Sequence, residues 1–391
     1  MKDVLWNRNY IAVCAANFLL FFAFYLLLPM LPLYLRDTFC ADKQLIGIIL
    51  SGYTITALLI RPFGGFIVDS FPRKRVLLIC YFLFFIFFAG YIVAGTILLF
   101  AIIRSMHGFA FGAVTVANST MAIDVLPSSR RNEGIGYYGV SNNLAMAIGP
   151  SISMYLYDHH VNADVIFTIS LVAAAIGLLC NASVKAPAKE QYKGKQTISL
   201  DRFILTNATP EALMVIFFSF SYGILSTYLA IYGKDEVGIE GGSGLFFTLL
   251  AIGLISARIF SAQWVKRGQL TLNIGVGMVI TIIGFSLFTF WCNTLGFYLS
   301  ALVLGAGYGA MCPSFQAVFI NLAHNNRRGT ANSTYLTSWD LGLGIGVLIG
   351  GAIAEQWSYH TAYIVAVAVC FIGAITFFHY TASHFNKNKL R

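Results

Sequence analysis

An all-α integral membrane protein, with twelve transmembrane helices in two six-helix bundles, is the fold that three features of this sequence predict. Only 10% of the residues are charged, while 58% are apolar and 15% aromatic; soluble domains carry about a quarter charged and roughly 45–50% apolar residues. The mean hydropathy of +0.75 belongs to the whole length, which excludes a single anchor carrying a soluble domain. At about 20 apolar residues per membrane helix and about 10 per loop, 391 residues hold about twelve spans with little left over.

The spans follow in order, each an apolar run long enough to cross about 30 Å of hydrocarbon. Residues 10–34 form the first; no small-residue cleavage site follows a short apolar core, so it reads as a retained helix and not a signal peptide. The second, 46–68, holds Tyr53 and Arg61; the third covers 75–94; the fourth, 96–120, holds Arg104 and His107. The fifth, 134–156, carries Gly149-Pro150, where one lost backbone bond lets a helix bend. The sixth is 163–182. Residues 183–203 bring Lys, Pro, Gly and Gln with no apolar period and read as a cytoplasmic linker between domains 1–182 and 204–391. The second set is 210–232, 244–264, 270–290, 296–320, 331–355 and 360–380.

Charge fixes the orientation. Of the 25 basic residues, Arg36, Lys43 and Lys234 fall in loops opposite the N-terminus, and Arg61, Arg104 and Arg258 lie within spans. All the others fall on the N-terminal side. That bias predicts both termini in the cytoplasm and explains the net charge of +9 as anchors against lipid headgroups; the expected location is a bacterial inner membrane. Nucleic acid is not an expected partner. The seven cysteines lack metal-ligand spacing and read as small buried hydrophobes; Cys40 and Cys292 lie near the outer face. Arg61 and Arg258, about 10 Å from the cytoplasmic ends of their spans, are expected to snorkel to the surface.

The halves repeat. Arg61 and Arg258, Gly108 and Gly305, Gly112 and Gly309, Arg130-Arg131 and Arg327-Arg328, Tyr138 and Tyr335, and Gly149 and Gly346 are each separated by 197 positions. Six spans per unit is an even number, so the repeats are parallel, related by an axis along the membrane normal. Two such bundles suggest a central cavity opening to one side at a time.

The segment after the second span, Gly65-Phe66-Ile67-Val68-Asp69-Ser70-Phe71-Pro72-Arg73-Lys74-Arg75, resembles the G-x-x-x-D-R-x-G-R-[RK] signature of the major facilitator superfamily. Gly65, Asp69, Arg73 and Lys74 match; Ser70 and Pro72 depart from it. Arg104-x-x-His107-Gly108 is similar to the family's R-x-x-Q-G, with His107 replacing Gln. Ala145-x-x-x-Gly149-Pro150-x-x-Ser153 resembles the G-x-x-x-G-P-x-x-G-G motif of its proton-coupled exporters, matched strictly at Gly149 and Pro150. The resemblance covers essentially the whole chain and implies the parallel two-bundle fold of twelve-helix drug/proton antiporters. It also implies that the Gly65, Asp69, Arg73, Lys74 loop acts as a latch closing the cytoplasmic side in the outward-open state.

Physical chemistry adds to this. Asp69, among basic neighbours, can accept charge-assisted bonds or cap a helix N-terminus. The second half has Lys266 where Asp69 stands, so only the first half is expected to form the acidic latch. Asp340, near the midplane of the eleventh span, is the leading proton-coupling candidate, because a charge there is costly and normally faces a partner or water. His107 and Arg104 are the next, His107 for its useful pKa range. Gly149, Pro150, Gly346 and Gly350 read as hinge or close-packing positions. Asn142, Asn143, Tyr25, Tyr53, Tyr137, Tyr138, Tyr222 and Tyr335 are candidates to line the cavity.

The expected function is proton-coupled export of a small amphipathic molecule by alternating access, by a monomer without cofactor. A proton-coupled uptake symporter for a sugar or organic anion uses the same fold. No nucleotide-binding P-loop, G-x-S-x-G, metal spacing or acid pair on one helix face occurs, which disfavours ATP drive and a membrane-embedded enzyme; a non-transporting receptor is the remaining alternative.

Overall fold

The computed structural model describes residues 4–28, 30–41, 43–159, 161–185, 203–239 and 243–390; among them every regular element is helical. Most of the expected linker, residues 186–202, lies outside the described residues. The first half contains α1 (Arg8–Leu27), α2 (Met30–Phe39), α3 (Lys43–Ser70), α4 (Arg73–Val93), α5 (Ile97–Val125), α6 (Arg131–Asp158) and α7 (Ala163–Ser183). The second contains α8 (Thr209–Asp235), α9 (Ser243–Lys266), α10 (Leu270–Phe290), α11 (Thr294–Asn321), α12 (Arg328–Gln356) and α13 (Tyr359–Thr376). A π turn, Phe377–Thr381, leads into the short α14 (Ala382–Asn388).

One expectation changes. The first span is not one helix: α1 ends at Leu27 and α2 begins at Met30, where Pro29 and Pro32 remove two N–H donors from the sequence. Eleven stretches among the described residues are long and apolar enough to cross a membrane, and the expected fifth span, α6, is not among them. Its 28 residues are about 42 Å of helix, long enough to cross, but Asn, Ser, Gly and Tyr replace much of its aliphatic surface. With α1 and α2 taken as one crossing and α6 as another, the described helices make the twelve crossings of an integral membrane protein.

The helix ends are set locally. The Thr96 hydroxyl accepts the Leu99 N–H at the start of α5, and the Asn293 side chain accepts the Gly296 N–H (2.7 Å) at the start of α11. These caps satisfy donors that a helix leaves unpaired, and they are themselves 197 residues apart. Asn7, Asn162 and Ser358 cap α1, α7 and α13 in the same way.

Contacts divide the chain into two compact units. One is Met1–Gly134, Ser141–Ile204 and Asn325–Ser333; the other is Ile135–Val140, Leu205–His324 and Thr334–Arg391. In the first unit α5 packs on α3 and α4, and α7 on α1 and α4; in the second α11 packs on α9 and α10, and α13 on α8 and α10. These are the same four pairings shifted by one repeat, so the duplication in sequence is a duplication in packing. Aromatic cores repeat too: Tyr91 meets Phe100 at 5.0 Å in one unit, and Phe288 meets Phe297 at 5.6 Å in the other.

In the first unit a hydrogen-bonded ladder joins four helices. Asn17 of α1 donates to Ser141 of α6 (2.8 Å), Asn118 of α5 donates to Asn17 (3.2 Å), and Asn181 of α7 donates to Asn118 (2.9 Å). Asn17, Asn118 and Asn181 are buried, so each needs such a partner in an apolar medium.

Candidate functional site

Asp69 is the penultimate residue of α3, and Arg73 opens α4 one turn further on. Pro72 between them takes the N-cap position of α4, where its missing N–H costs nothing. The Asp69 carboxylate accepts from the Arg73 guanidinium (3.1 Å), from the backbone N–H groups of Gly329 (3.0 Å) and Thr330 (2.7 Å), and from the Thr330 hydroxyl (2.9 Å). It therefore caps the N-terminus of α12, where unpaired N–H groups and the helix dipole favour a negative charge. Arg73 also bonds Asp124 at the end of α5, and Asp124 accepts from Arg328 (3.1 Å), which donates to Asn325 (2.6 Å) as well. Asp69, Arg73, Asp124 and Arg328 thus form one alternating chain of charges. Their side chains are 7–12% exposed, so water screens them less than it screens surface pairs.

Backbone proximity makes these bonds possible. A Cβ on Gly65 would lie 2.6 Å from the Ser333 Cβ and 3.0 Å from the Gly329 carbonyl oxygen; only glycine lets the first turns of α12 come so near α3. Ser333 donates to the Arg61 carbonyl, and Asn332 to the Ser119 hydroxyl of α5. All these groups belong to the first unit. Lys74, expected in the same network, instead donates to the Ala182 carbonyl of α7 (2.8 Å): the next position on α4 points to another neighbour. Asp124 and the start of α12 were not foreseen. An acid closing an apolar helix against basic turns was the available signal.

At the corresponding place in the second half, Lys266, Leu270 and Asn321 stand where Asp69, Arg73 and Asp124 do. The carbonyl of Asn321 accepts the Leu390 N–H (2.9 Å). Nearby, His384 of α14 pairs with the buried Glu211 of α8 at 2.9 Å.

Arg104 and His107 lie inside the first unit, 3% and 1% exposed. The Arg104 guanidinium sits 3.9 Å from the centre of the Tyr53 ring and donates to the Tyr91 hydroxyl (3.3 Å). The same hydroxyl is 2.8 Å from the His107 Nδ1. With Arg104 donating to the phenol oxygen, the phenol hydrogen is free for Nδ1. Phe84 and Phe88 enclose the imidazole at 4.8 and 4.7 Å. Cation–π contact and a phenol, rather than a carboxylate, hold this buried charge.

Asp340 lies in the second unit, partly exposed, twelve residues into α12, or about 18 Å along it. Beside it Trp339 packs on Tyr222 (5.6 Å) and Tyr308 (6.0 Å). Tyr335 meets Phe319 at 5.8 Å, and Tyr25 stacks on Phe21 at 6.1 Å in the first unit. Asn142 and Asn143 sit on α6 with the Asn142 Oδ1 and Asn143 Nδ2 buried and without a hydrogen-bond partner among the described residues. Tyr137 and Tyr138 belong to the segment of α6 in the second unit. α6 continues through Gly149 and Pro150, and α12 through Gly346 and Gly350, without a break. In this structure those glycines serve close packing: Gly149 against Tyr25, Gly346 against the Phe220 backbone, Gly350 against Ile224.

The snorkelling expected of the other two membrane arginines is not seen. Arg61 is 5% exposed. Arg258 turns sideways to α6 and donates to the Gly136 carbonyl (3.3 Å). A lateral acceptor nearer than the helix end, and a facing glycine, give the side chain an alternative that distance along the helix does not reveal.

Among the described residues no group of three His, Cys, Asp or Glu could hold a metal ion. A family model described as Major Facilitator Superfamily matches residues 13–347 and 274–390. The quinolone resistance protein NorA of Staphylococcus aureus is 23% identical over 385 residues, covering 94% of this chain and 95% of the relative. The multidrug resistance protein MdtG of Escherichia fergusonii is 23% identical over 388 residues, covering 95% and 93%. Among solved structures, the human organic anion transporter MFSD10 superposes with a TM-score of 0.80 at 16% identity, over 95% of this chain and 99% of that one.

Proposed function

The chain belongs to the Major Facilitator Superfamily, and from that premise we propose that it exports a small amphipathic molecule from the cytoplasm in exchange for protons. Its family are transporters, not enzymes, and carry small molecules with ion coupling. Relatives named for quinolone and multidrug resistance support export and a drug-like or metabolite substrate.

The observation that carries the mechanism is the Asp69 cap on α12. It joins helices of the two sequence repeats through hydrogen bonds and a close approach at Gly65, and such contacts can exist in one conformation and be absent in another, so they bias a two-state equilibrium. In this reading Asp69, Arg73, Asp124 and Arg328 close the cytoplasmic side, and domains 1–182 and 204–391 move against each other as they part. Asp340 takes up and releases the coupling proton, with the Arg104, Tyr91 and His107 cluster as the second candidate. Both termini lie in the cytoplasm of a bacterial inner membrane, with basic residues at span ends against lipid headgroups, and the monomer is the working unit.

The test is transport in inside-out and right-side-out vesicles under an imposed pH gradient, against a panel of amphipathic compounds. Export predicts accumulation in inside-out vesicles whose lumen is acidic. Uptake by right-side-out vesicles driven by an inward proton gradient, with no efflux, would establish the symporter instead.

A further inference from the structure

In the first unit the start of α1, the start of α4 and the end of α7 meet at one corner, and hydrogen bonds fix the meeting. The Asn9 side chain of α1 donates to the Lys185 carbonyl (3.2 Å) and accepts the Lys185 N–H (3.0 Å), just past the end of α7. The Lys74 ammonium of α4 donates to the Ala182 carbonyl of α7 (2.8 Å). α7 packs on both α1 and α4. Four basic residues are thereby brought together: Arg8, which opens α1, Lys74 and Arg75 in the first turn of α4, and Lys185. Arg8, Arg75 and Lys185 are exposed. Among the described residues no carboxylate forms an ion pair with any of the four; Asp69 and Asp124 are taken by Arg73 and Arg328.

This arrangement runs against the helix dipoles. The first turn of a helix favours a negative charge, yet the first turns of α1 and α4 hold bases and no acid, and no side chain caps α4. Dipoles and side chains therefore both ask for an anion at this corner. The other half of the chain supplies the comparison. The positions 197 later are Leu205, Thr271, Leu272 and Ala382, none of them charged. There the chain continues past α13 into α14, whose His384 pairs with Glu211 of α8 and whose Phe385 is buried. The second unit covers the equivalent helix ends with protein, and the first gathers cations at them.

One turn deeper the same faces are apolar and exposed: Ile11 follows Arg8 by three residues, Ile79 follows Arg75 by four, and Leu179 and Ile176 precede the end of α7. We propose that this corner is a binding site for one anionic phospholipid of the cytoplasmic leaflet, its phosphate held by Arg8, Arg75 and Lys185 and its acyl chains against Ile11, Ile79 and Leu179. The apolar wall under the cations selects a lipid over a soluble phosphate. Arg75 offers the phosphate a forked pair of donors, Lys185 a point charge, and the two protons that Lys74 does not spend on Ala182 face the same corner. The site differs from the general attraction of basic span ends to headgroups, because it belongs to one corner of one unit and is built by bonds among three helices.

The test is native mass spectrometry of the full-length protein in detergent, titrated with dioleoylphosphatidylglycerol or its zwitterionic counterpart dioleoylphosphatidylcholine. The wild type should bind one phosphatidylglycerol at least about tenfold more tightly than phosphatidylcholine. Arg75→Gln with Lys185→Gln should weaken that binding about 25-fold, or about fivefold per charge, the equivalent of about 1 kcal/mol each. Arg75→Lys with Lys185→Arg should keep it, which separates charge from folding. Lys266→Gln with Arg267→Gln removes the same charge from the end of α9 and should leave it unchanged. Equal binding of the two lipids overturns the proposal, as does equal loss in the α9 variant, which would mean diffuse attraction only. Loss in the charge-conserving variant overturns it too. Displacement of the lipid by equimolar sn-glycerol 3-phosphate would make the ligand a soluble phosphate and overturn the lipid assignment. The measurement involves no transport, so its outcome is independent of the export reading.

Discussion

Asp69 meets four donors with two oxygens, and that ratio tells what its replacement must lose. Asparagine offers one oxygen and no charge, so Asp69→Asn forfeits at least one charge-assisted bond, about 1.5–3 kcal/mol. Transport rate in vesicles is expected to fall roughly tenfold or more; a wild-type rate would reduce the network to scaffolding. Asp124 separates two guanidiniums, Arg73 and Arg328. Asp124→Asn leaves two like charges facing each other and should be more damaging than Arg328→Ala, which leaves the Arg73 pair intact. Combining the two should cost less than the sum of the single effects, because they share a partner; thermal unfolding midpoints of the three variants measure this. The sequence shows that Asp69 sits among bases, but its partners come from 260 residues away, and a motif read along the chain contains only its own neighbours. Arg258 was misread for the same reason. Its distance to the helix end is visible in one dimension, and the Gly136 and Gly139 surface beside it is not.

Among the elements, α12 has the most demanding entry, because its first turns must approach α3 at Gly65. Gly65→Val places a Cβ bearing two methyl groups against Ser333 and the Gly329 carbonyl. Amide hydrogen exchange should rise across residues 325–333 and stay unchanged across α9 to α11; protection equal to wild type in 325–333 would mean the helix can dock without that contact. Hydropathy reads length and polarity, so it found each long apolar helix and its approximate ends. It did not find the break between α1 and α2, where the signal was the proline pair, nor α14, whose seven residues are tied to α8 by His384 and Glu211. It read α6 as a span by its length, although its Asn, Ser, Gly and Tyr content makes it the least apolar of the expected spans. That the chain is a tandem of two like six-helix units was legible through the 197 offset. Which side chains face which helix was not, because neither offset nor hydropathy records rotation about a helix axis.

For the whole molecule, the coupling reading makes Asp340→Asn the decisive variant. Gradient-driven accumulation should be abolished while substrate binding at equilibrium is retained; accumulation at the wild-type rate would move the proton elsewhere, to His107 first. The segments Ile135–Val140 and Asn325–Ser333 each pack in the unit built chiefly from the other half of the chain. Halves 1–182 and 204–391 expressed separately therefore each lack a piece of their unit, and transport is expected only when they are co-expressed; activity from either half alone would contradict this division. The asparagine ladder bears on how such a protein is made. Its rungs are on α1, α5, α6 and α7, so the first asparagine to enter the bilayer receives its bonds only after helices synthesised more than a hundred residues later have followed. A ribosome that stalls before α7 leaves Asn118 without the donor from Asn181. The ladder is thereby complete only when α7 is in place, so the first half cannot satisfy these buried amides one hairpin at a time and must be assembled as a set.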